Sequence, residues 1–275
     1  MDYEGTAGSR GGEMLDAERV RTDVADAIAA FARRYREGRG LATDWGRPLV
    51  GFADADGPCV RDLRSVVSPT HHLPQEFLPG ATVVVCYFLP FARAVERTNL
   101  GGVEPSVAWV DAYNDTNRMF PLINEELARL VEGWGYRAAS PSDTGFTGDG
   151  RILSNWSQRH LAFAAGLGTF GLNNMLITEA GTCGRLFSLV SDLPVAPDAP
   201  LETERCLHKL GRGCALCARR CPVGALDERG AFDRRACYER LCDFDRRLGA
   251  DVCGKCVVGL PCTFRDPSAP GAASA

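Results

Sequence analysis

"CLHKLGRGCALCARRCPVGAL", residues 206–226, places four cysteines within sixteen positions and sets a proline directly after the last. Thiols at that density either cross-link the chain or bind metal, and the rest of the sequence decides between the two. The first fourteen residues, MDYEGTAGSRGGEM, are glycine-rich and polar and lack the apolar stretch of a signal peptide. The longest apolar run, ATVVVCYFLPF from Ala81, is far too short to span a bilayer and reads as a buried strand. The expectation is a cytoplasmic protein with no membrane partner. There thiols stay reduced, and a set of twelve cysteines binds metal rather than forming disulfides.

Outward from that stretch, Cys206, Cys214, Cys217 and Cys221 are followed by Cys237, Cys242, Cys253, Cys256 and Cys262. Cys214-x2-Cys217-x3-Cys221-Pro222 matches the latter part of the bacterial ferredoxin run, whose short loops let neighbouring thiolates reach adjacent irons of one cubane. Pro222 then turns the chain away, because proline cannot continue a helix. CGKCVVGLPC, residues 253–262, repeats the C-x2-C element and adds Cys262. These thiols suit two 4Fe–4S clusters with one left over. A single cluster is one alternative and structural zinc another. For zinc, however, the 214/217 and 253/256 pairs are 35 residues apart (218–252), against about 15–20 in zinc ribbons. Zinc would also leave Cys206, Cys221, Cys237 and Cys262 without a role.

Upstream, helical and strand patterns mix. Val20, Val24, Ala27, Ile28 and Phe31 recur at helical spacing and predict a helix over 15–37. PLVGFAD (48–54) and TVVVCYFL (82–89) read as strands, and a second helical region covers 105–134. SNWSQRHLAFAAGLG (154–168) reads as a helix capped by Ser154 and closed by glycine, and NMLITEAG and RLFSLVSDLPV follow as strands. APDAP (196–200) reads as a linker. The expected architecture is an α+β or α/β sandwich core over 15–198 and a small ferredoxin-like double-cluster domain over 199–265. Residues 1–14 and 266–275 are expected to be disordered.

A formal net charge of -4 gives no electrostatic case for nucleic acid, and the paired arginines alternate with acids. GLGTFG (166–171) satisfies the dinucleotide glycine pattern, but a helix pattern precedes it and a strand pattern follows. That order is the reverse of what a pyrophosphate site needs. What remains is a tight turn where backbone meets another backbone or a flat ligand. Cys86 reads as a buried small hydrophobe and Cys183 as inert, with a functional role the alternative. His71, His72, His160 and His208 read as structural or solvated.

AAGLGTFGLNNMLIT, then GTCGRLFSLVSDLPV, then CPVGAL and CGKC resemble, in this order, the epoxyqueuosine reductase family, and FLPGATVVVCYFLP is similar to that family's N-terminal strand. The likeness covers roughly residues 75–265. It implies an oxidoreductase with a corrinoid-binding core fused to a double-cluster module, related also to reductive dehalogenases. An external donor of the ferredoxin or flavodoxin type would feed two 4Fe–4S clusters. These would reduce a base-off cobalamin that acts on a small-molecule or nucleoside-like substrate. The resemblance assigns Cys206, Cys214, Cys217 and Cys262 to the first cluster. Cys221, Cys237, Cys253 and Cys256 fall to the second, with Cys242 a spare that could displace Cys237. Arg159, Gly166, Gly168, Thr169, Phe170 and Gly171 fall where the family approaches the corrin. Ile152 stands at the position of the family's proton-donating Asp, with Asp143 and Asp149 nearby, so no catalytic acid is assigned. Few residues follow the cysteines, too few for the helical extension with which some members hold tRNA. The expectations are therefore poor epoxyqueuosine reduction on tRNA and no nucleic-acid partner. An electron-transfer or corrinoid-reactivating protein, or a redox sensor, are the alternatives.

Overall fold

The computed structural model describes residues 14–142, 145–146 and 150–270. Its elements are α1 (Ala17–Arg39), β1 (Leu49–Asp54), α2 (Pro58–Arg61), α3 (Leu63–Val66), α4 (Pro74–Phe77), β2 (Val83–Pro90), α5 (Arg93–Thr98) and α6 (Val107–Gly133). Then come β3 (Ala138–Ala139), α7 (Gln158–Ala164), β4 (Gly168–Phe170), β5 (Leu176–Thr178), β6 (Gly184–Ser191), α8 (Leu216–Arg219) and α9 (Arg234–Leu248).

The apolar run from Ala81 supplies the central strand. β2 is buried along its whole length and pairs antiparallel with β1 on one side and β6 on the other, in a sheet ordered β1-β2-β6-β3. Side chains alternate across a strand. Val83, Val85, Tyr87 and Leu89 therefore face α1 and α6, packing with Ile28, Met119, Ile123 and Leu127. Val84 and Cys86 face the other way, into a second core with Trp156, Leu161 and Ala162. Helices thus cover both faces of an antiparallel sheet, the α+β form of the expected sandwich. Burial raises the pKa of the Cys86 thiol, as suits a small hydrophobe.

Tertiary contacts moved three local boundaries. α1 starts at Ala17 because Asp16 caps it, accepting from Glu18 N at 3.0 Å, while Leu15 bridges to Val195. α7 is capped by Ser157, not Ser154. Ser157 N is held by His71 Nε2 at 2.8 Å, and the preceding Trp156 donates to Ser188 Oγ at 2.9 Å. The APDAP segment is anchored rather than loose: Asp198 N donates to Phe52 O at 2.7 Å, and its carboxylate accepts from Phe52 N at 2.7 Å and Arg21 Nη2 at 2.8 Å.

After residue 199 the described chain holds α8, α9, turns and one isolated bridge, Leu226 to Phe232, with no sheet. Core loops grip this segment through backbone oxygens: Asn99 Nδ2 to Cys253 O at 3.0 Å, Asn173 Nδ2 to Cys256 O at 2.6 Å, and Thr182 N to Cys262 O at 2.9 Å. The disorder expected from residue 266 is not seen at its start, where Asp266 pairs with Arg205 at 2.9 Å and accepts from Ser268 N at 2.8 Å. No helix among the described residues is long and apolar enough to cross a membrane.

Candidate metal centre

Eight of the late cysteines fall into two sets. Cys206, Cys214, Cys217 and Cys262 line one small pocket, open in part to solvent, with Leu172, Ile177 and Leu260. Burial pushes the Cys217 thiol up to about 11, and the Cys206 and Cys214 sulfurs push the same way. Cys262 is pushed up to about 12 by burial and then by Cys217, Cys206 and Cys214. In the second set, Cys237 is raised by burial and by Cys221 and Cys253, and the half-buried Cys256 is raised by burial and by Cys253, Cys237, Cys217 and Cys221. Cys217 therefore also acts on Cys256, so the two sets adjoin.

The local reasons are legible. Cys214 and Cys221 flank the single turn of α8, which carries Cys217 between them. Cys237 lies in the first turn of α9 beyond the Asp233 cap, which accepts from Ala236 N at 2.9 Å. Cys242 is five residues further along, about 140° round the helix, and its partner is the Tyr238 hydroxyl rather than the other thiols.

The donor set fits an iron–sulfur cluster. Ligand thiols must be deprotonated, and burial beside other sulfurs makes that costly without a cation; four irons supply the compensating charge. Among the described residues no group of three or more His, Cys, Asp or Glu side chains is arranged to hold a single metal ion.

The residues expected at the corrin divide differently. Each missing Cβ of the glycine turn faces protein. At Gly166 (φ 67°) it would sit 2.6 Å from Ala199 O, at Gly168 it would overlap the Ile177 carbonyl, and at Gly171 it would meet Asn173 Oδ1 at 2.7 Å. The turn is thus one where backbone meets backbone. Thr169 Oγ1 donates to Glu204 Oε1 at 2.8 Å and accepts from Arg205 N, fastening the turn to the segment before Cys206. Phe170 is half-buried against His160, ring centroids 4.8 Å apart. Arg159 is exposed, donates to Asn174 O at 2.6 Å, and acts on the Cys237 and Cys256 thiols. Burial and then Arg159 hold His160 down to about 4, a neutral imidazole bonded to Ser157 Oγ at 2.7 Å.

Ile152 has a left-handed backbone, φ 57°, and its carbonyl accepts from Arg234 Nη1 at 2.9 Å. Asp143 and Asp149 lie outside the described residues. Cys183 is fully buried, its thiol raised by burial and then by Glu96. Its backbone joins the core to the cysteine segment through Thr263 O at 3.0 Å and Phe91 N at 2.9 Å. Sequence reasoning missed Lys255, inside CGKC. The buried ammonium donates to Asn99 O at 2.9 Å, Asn99 Oδ1 at 3.1 Å and Gly101 O at 2.7 Å, and its charge favours the Cys253 thiolate. A charged residue inside a C-x2-C element was the available signal.

No protein-family model matches the chain. It is similar to epoxyqueuosine reductases of Bacillus cereus (28% identical over 176 residues, 61% of this chain and 42% of the relative) and Bacillus anthracis (34% over 176 residues, with the same shares). The Francisella enzyme of that name is 25% identical over 184 residues, 62% of this chain and 46% of the relative. The chain thus spans less than half the length of the curated relatives it matches. Among solved structures it is similar to an epoxyqueuosine reductase with an epoxyqueuosine-modified tRNA stem loop (TM-score 0.54, 19% identity, 90% of this chain and 66% of that one). It is also similar to a reductive dehalogenase whose structure suggests a mechanism for B12-dependent dehalogenation (TM-score 0.53, 19% identity, 94% and 34%). The chain is similar in sequence to the epoxyqueuosine reductases and shares its fold with them and with the reductive dehalogenases.

Proposed function

We propose that this chain is an iron–sulfur oxidoreductase of the epoxyqueuosine reductase type. Cys206, Cys214, Cys217 and Cys262 hold one 4Fe–4S cluster, and Cys221, Cys237, Cys253 and Cys256 hold another. A cobalamin would meet the chain on the side of Arg159 and Phe170, and the substrate is a small molecule or nucleoside-like. The observation that carries the reading is the gathering of eight thiols into two adjoining sets of four. When bound, the clusters supply one-electron steps and the corrinoid the covalent chemistry with substrate. The chain itself sets Leu172, Ile177 and Leu260 against the first thiol set and places the Arg159 cation beside the second.

The expectation that nucleic acid is an unlikely partner is withdrawn. A structural relative is solved with a tRNA stem loop, and net charge alone does not outweigh that. Ile152 favours a second reading, an electron-transfer or corrinoid-reactivating protein without its own organic substrate. An aliphatic side chain has no proton to give where general acid help is worth about 10²–10⁴-fold.

Anaerobic reconstitution should bring iron and sulfide each to about eight per chain, four per cluster, and added cob(II)alamin should shift its spectrum on reduction. Iron near four, or stoichiometric zinc in protein isolated without oxygen, would sink the two-cluster assignment. A cobalamin spectrum unmoved by the protein would sink the corrinoid. Multiple turnover on epoxyqueuosine-containing tRNA or its nucleoside separates the enzyme from the second reading.

A further inference from the structure

Five buried side-chain polar atoms among the described residues have no hydrogen-bond partner: Trp109 Nε1, Gln158 Oε1, Thr182 Oγ1, Arg185 Nε and Arg240 Nε. A buried donor without an acceptor is costly, and such a group calls for a specific occupant. Two of the five border the second thiol set. Trp109, on α6, is 3% exposed, and its indole covers Gly254, between Cys253 and Cys256. A Cβ at Gly254 would fall onto the Nε1 edge of that ring.

Arg240, on α9, lies three residues from Cys237, on the same face of the helix. Its guanidinium rests 4.4 Å from the Phe244 ring centroid, its Nη2 is engaged with Val103 O at 3.1 Å, and its charge favours the Cys253 thiolate. Both empty N–H groups therefore stand beside the loop that presents Cys253. Lys255 and Arg159 add positive charge on the same set. Around Cys217 and Cys262 the charged influences are other thiols. The N–H groups acting on those two thiols are uncharged backbone ones, of Ala218 and Cys217 at Cys217 and of Cys262 at Cys262.

We propose that Trp109 Nε1 and Arg240 Nε donate N–H···S hydrogen bonds to the sulfurs of the cluster held by Cys221, Cys237, Cys253 and Cys256, and set its reduction potential above that of its neighbour. The assignment rests on the two-cluster reading. Hydrogen bonds to sulfur and nearby cations favour the more negative, reduced cluster, and both raise its potential. An electron entering the chain then rests on the second cluster, the one nearest Arg159.

The test is a dithionite titration of the reconstituted full chain, followed by electron paramagnetic resonance, for wild type, Trp109→Phe and Arg240→Lys. Wild type should show two one-electron midpoints. Trp109→Phe should keep its iron and lower the upper midpoint alone, changing the reduced-to-oxidised ratio at the wild-type midpoint by about tenfold, or about 59 mV. Arg240→Lys retains the charge and loses Nε, and should move the same midpoint in the same direction. Unmoved midpoints in both variants at wild-type iron content would overturn the proposal, the N–H groups then meeting water. A Trp109→Phe protein that cannot hold iron leaves the decision to Arg240→Lys on the same criterion. Failure of wild type itself to take up iron defeats the two-cluster reading, and this assignment with it.

Discussion

Gly168 has no side chain because the Ile177 carbonyl occupies the place where one would begin. Its backbone is ordinary strand, so the cost of a substitution is steric overlap, not strain in φ. Ile177 also lines the cavity of the first thiol set, which couples the turn to the metal site. Gly168→Ala should therefore separate β4 from β5 at a cost of about 1–3 kcal/mol and lower cluster content as well. Chemical denaturation and iron analysis would check this. A stable variant with full iron would show that the turn has slack. The glycine pattern was visible in the sequence, but its meaning was not: whether a missing Cβ leaves room for a ligand or for the chain's own carbonyl depends on the strand that folds back over it.

At the scale of elements, the long periodic helices and the apolar central strand were legible within about two residues, because burial on one face or both writes itself into local sequence. APDAP, expected as a linker, is irregular backbone but is held to the core. Two prolines in five residues signal a break in regular structure, and they do not say whether the break is fastened. Asp198 fastens it to β1, the edge strand of the sheet, and to Arg21 of α1. Covering an exposed strand edge in this way also protects it from pairing with another chain. Asp198→Ala leaves Phe52 N–H and Arg21 Nη2 without their acceptor, though Arg21 keeps Val50 O and Glu18, and should cost about 1–3 kcal/mol. Thermal unfolding would measure it, and an unchanged midpoint would return the segment to the status of a loose linker.

Over the whole molecule, the two thiol sets are foreshadowed by cysteines at short, fixed spacings, while Trp109 and Arg240 carry no such mark. Trp109 meets the CGKC loop only after the core and the cysteine segment have docked, and Arg240 only once α9 packs beside it, and no local pattern marks either meeting. The docked assembly has a pH signature of its own. Cys217 and Cys262 have an ordinary thiol value of 9.0, and in the folded chain they are raised to about 11 and about 12. Folding of the metal-free chain thus favours the protonated thiols. The stability they contribute is complete below pH 9.0 and is lost as pH rises through about 11 to 12. A bound cluster removes those protons itself, so the loaded chain has no such loss to suffer, and loading releases protons. Under anaerobic, reducing conditions the unfolding temperature of the metal-free chain should fall across that alkaline window more steeply than that of the reconstituted chain. Parallel curves for the two forms would mean that the buried thiols are not the groups that bind the clusters.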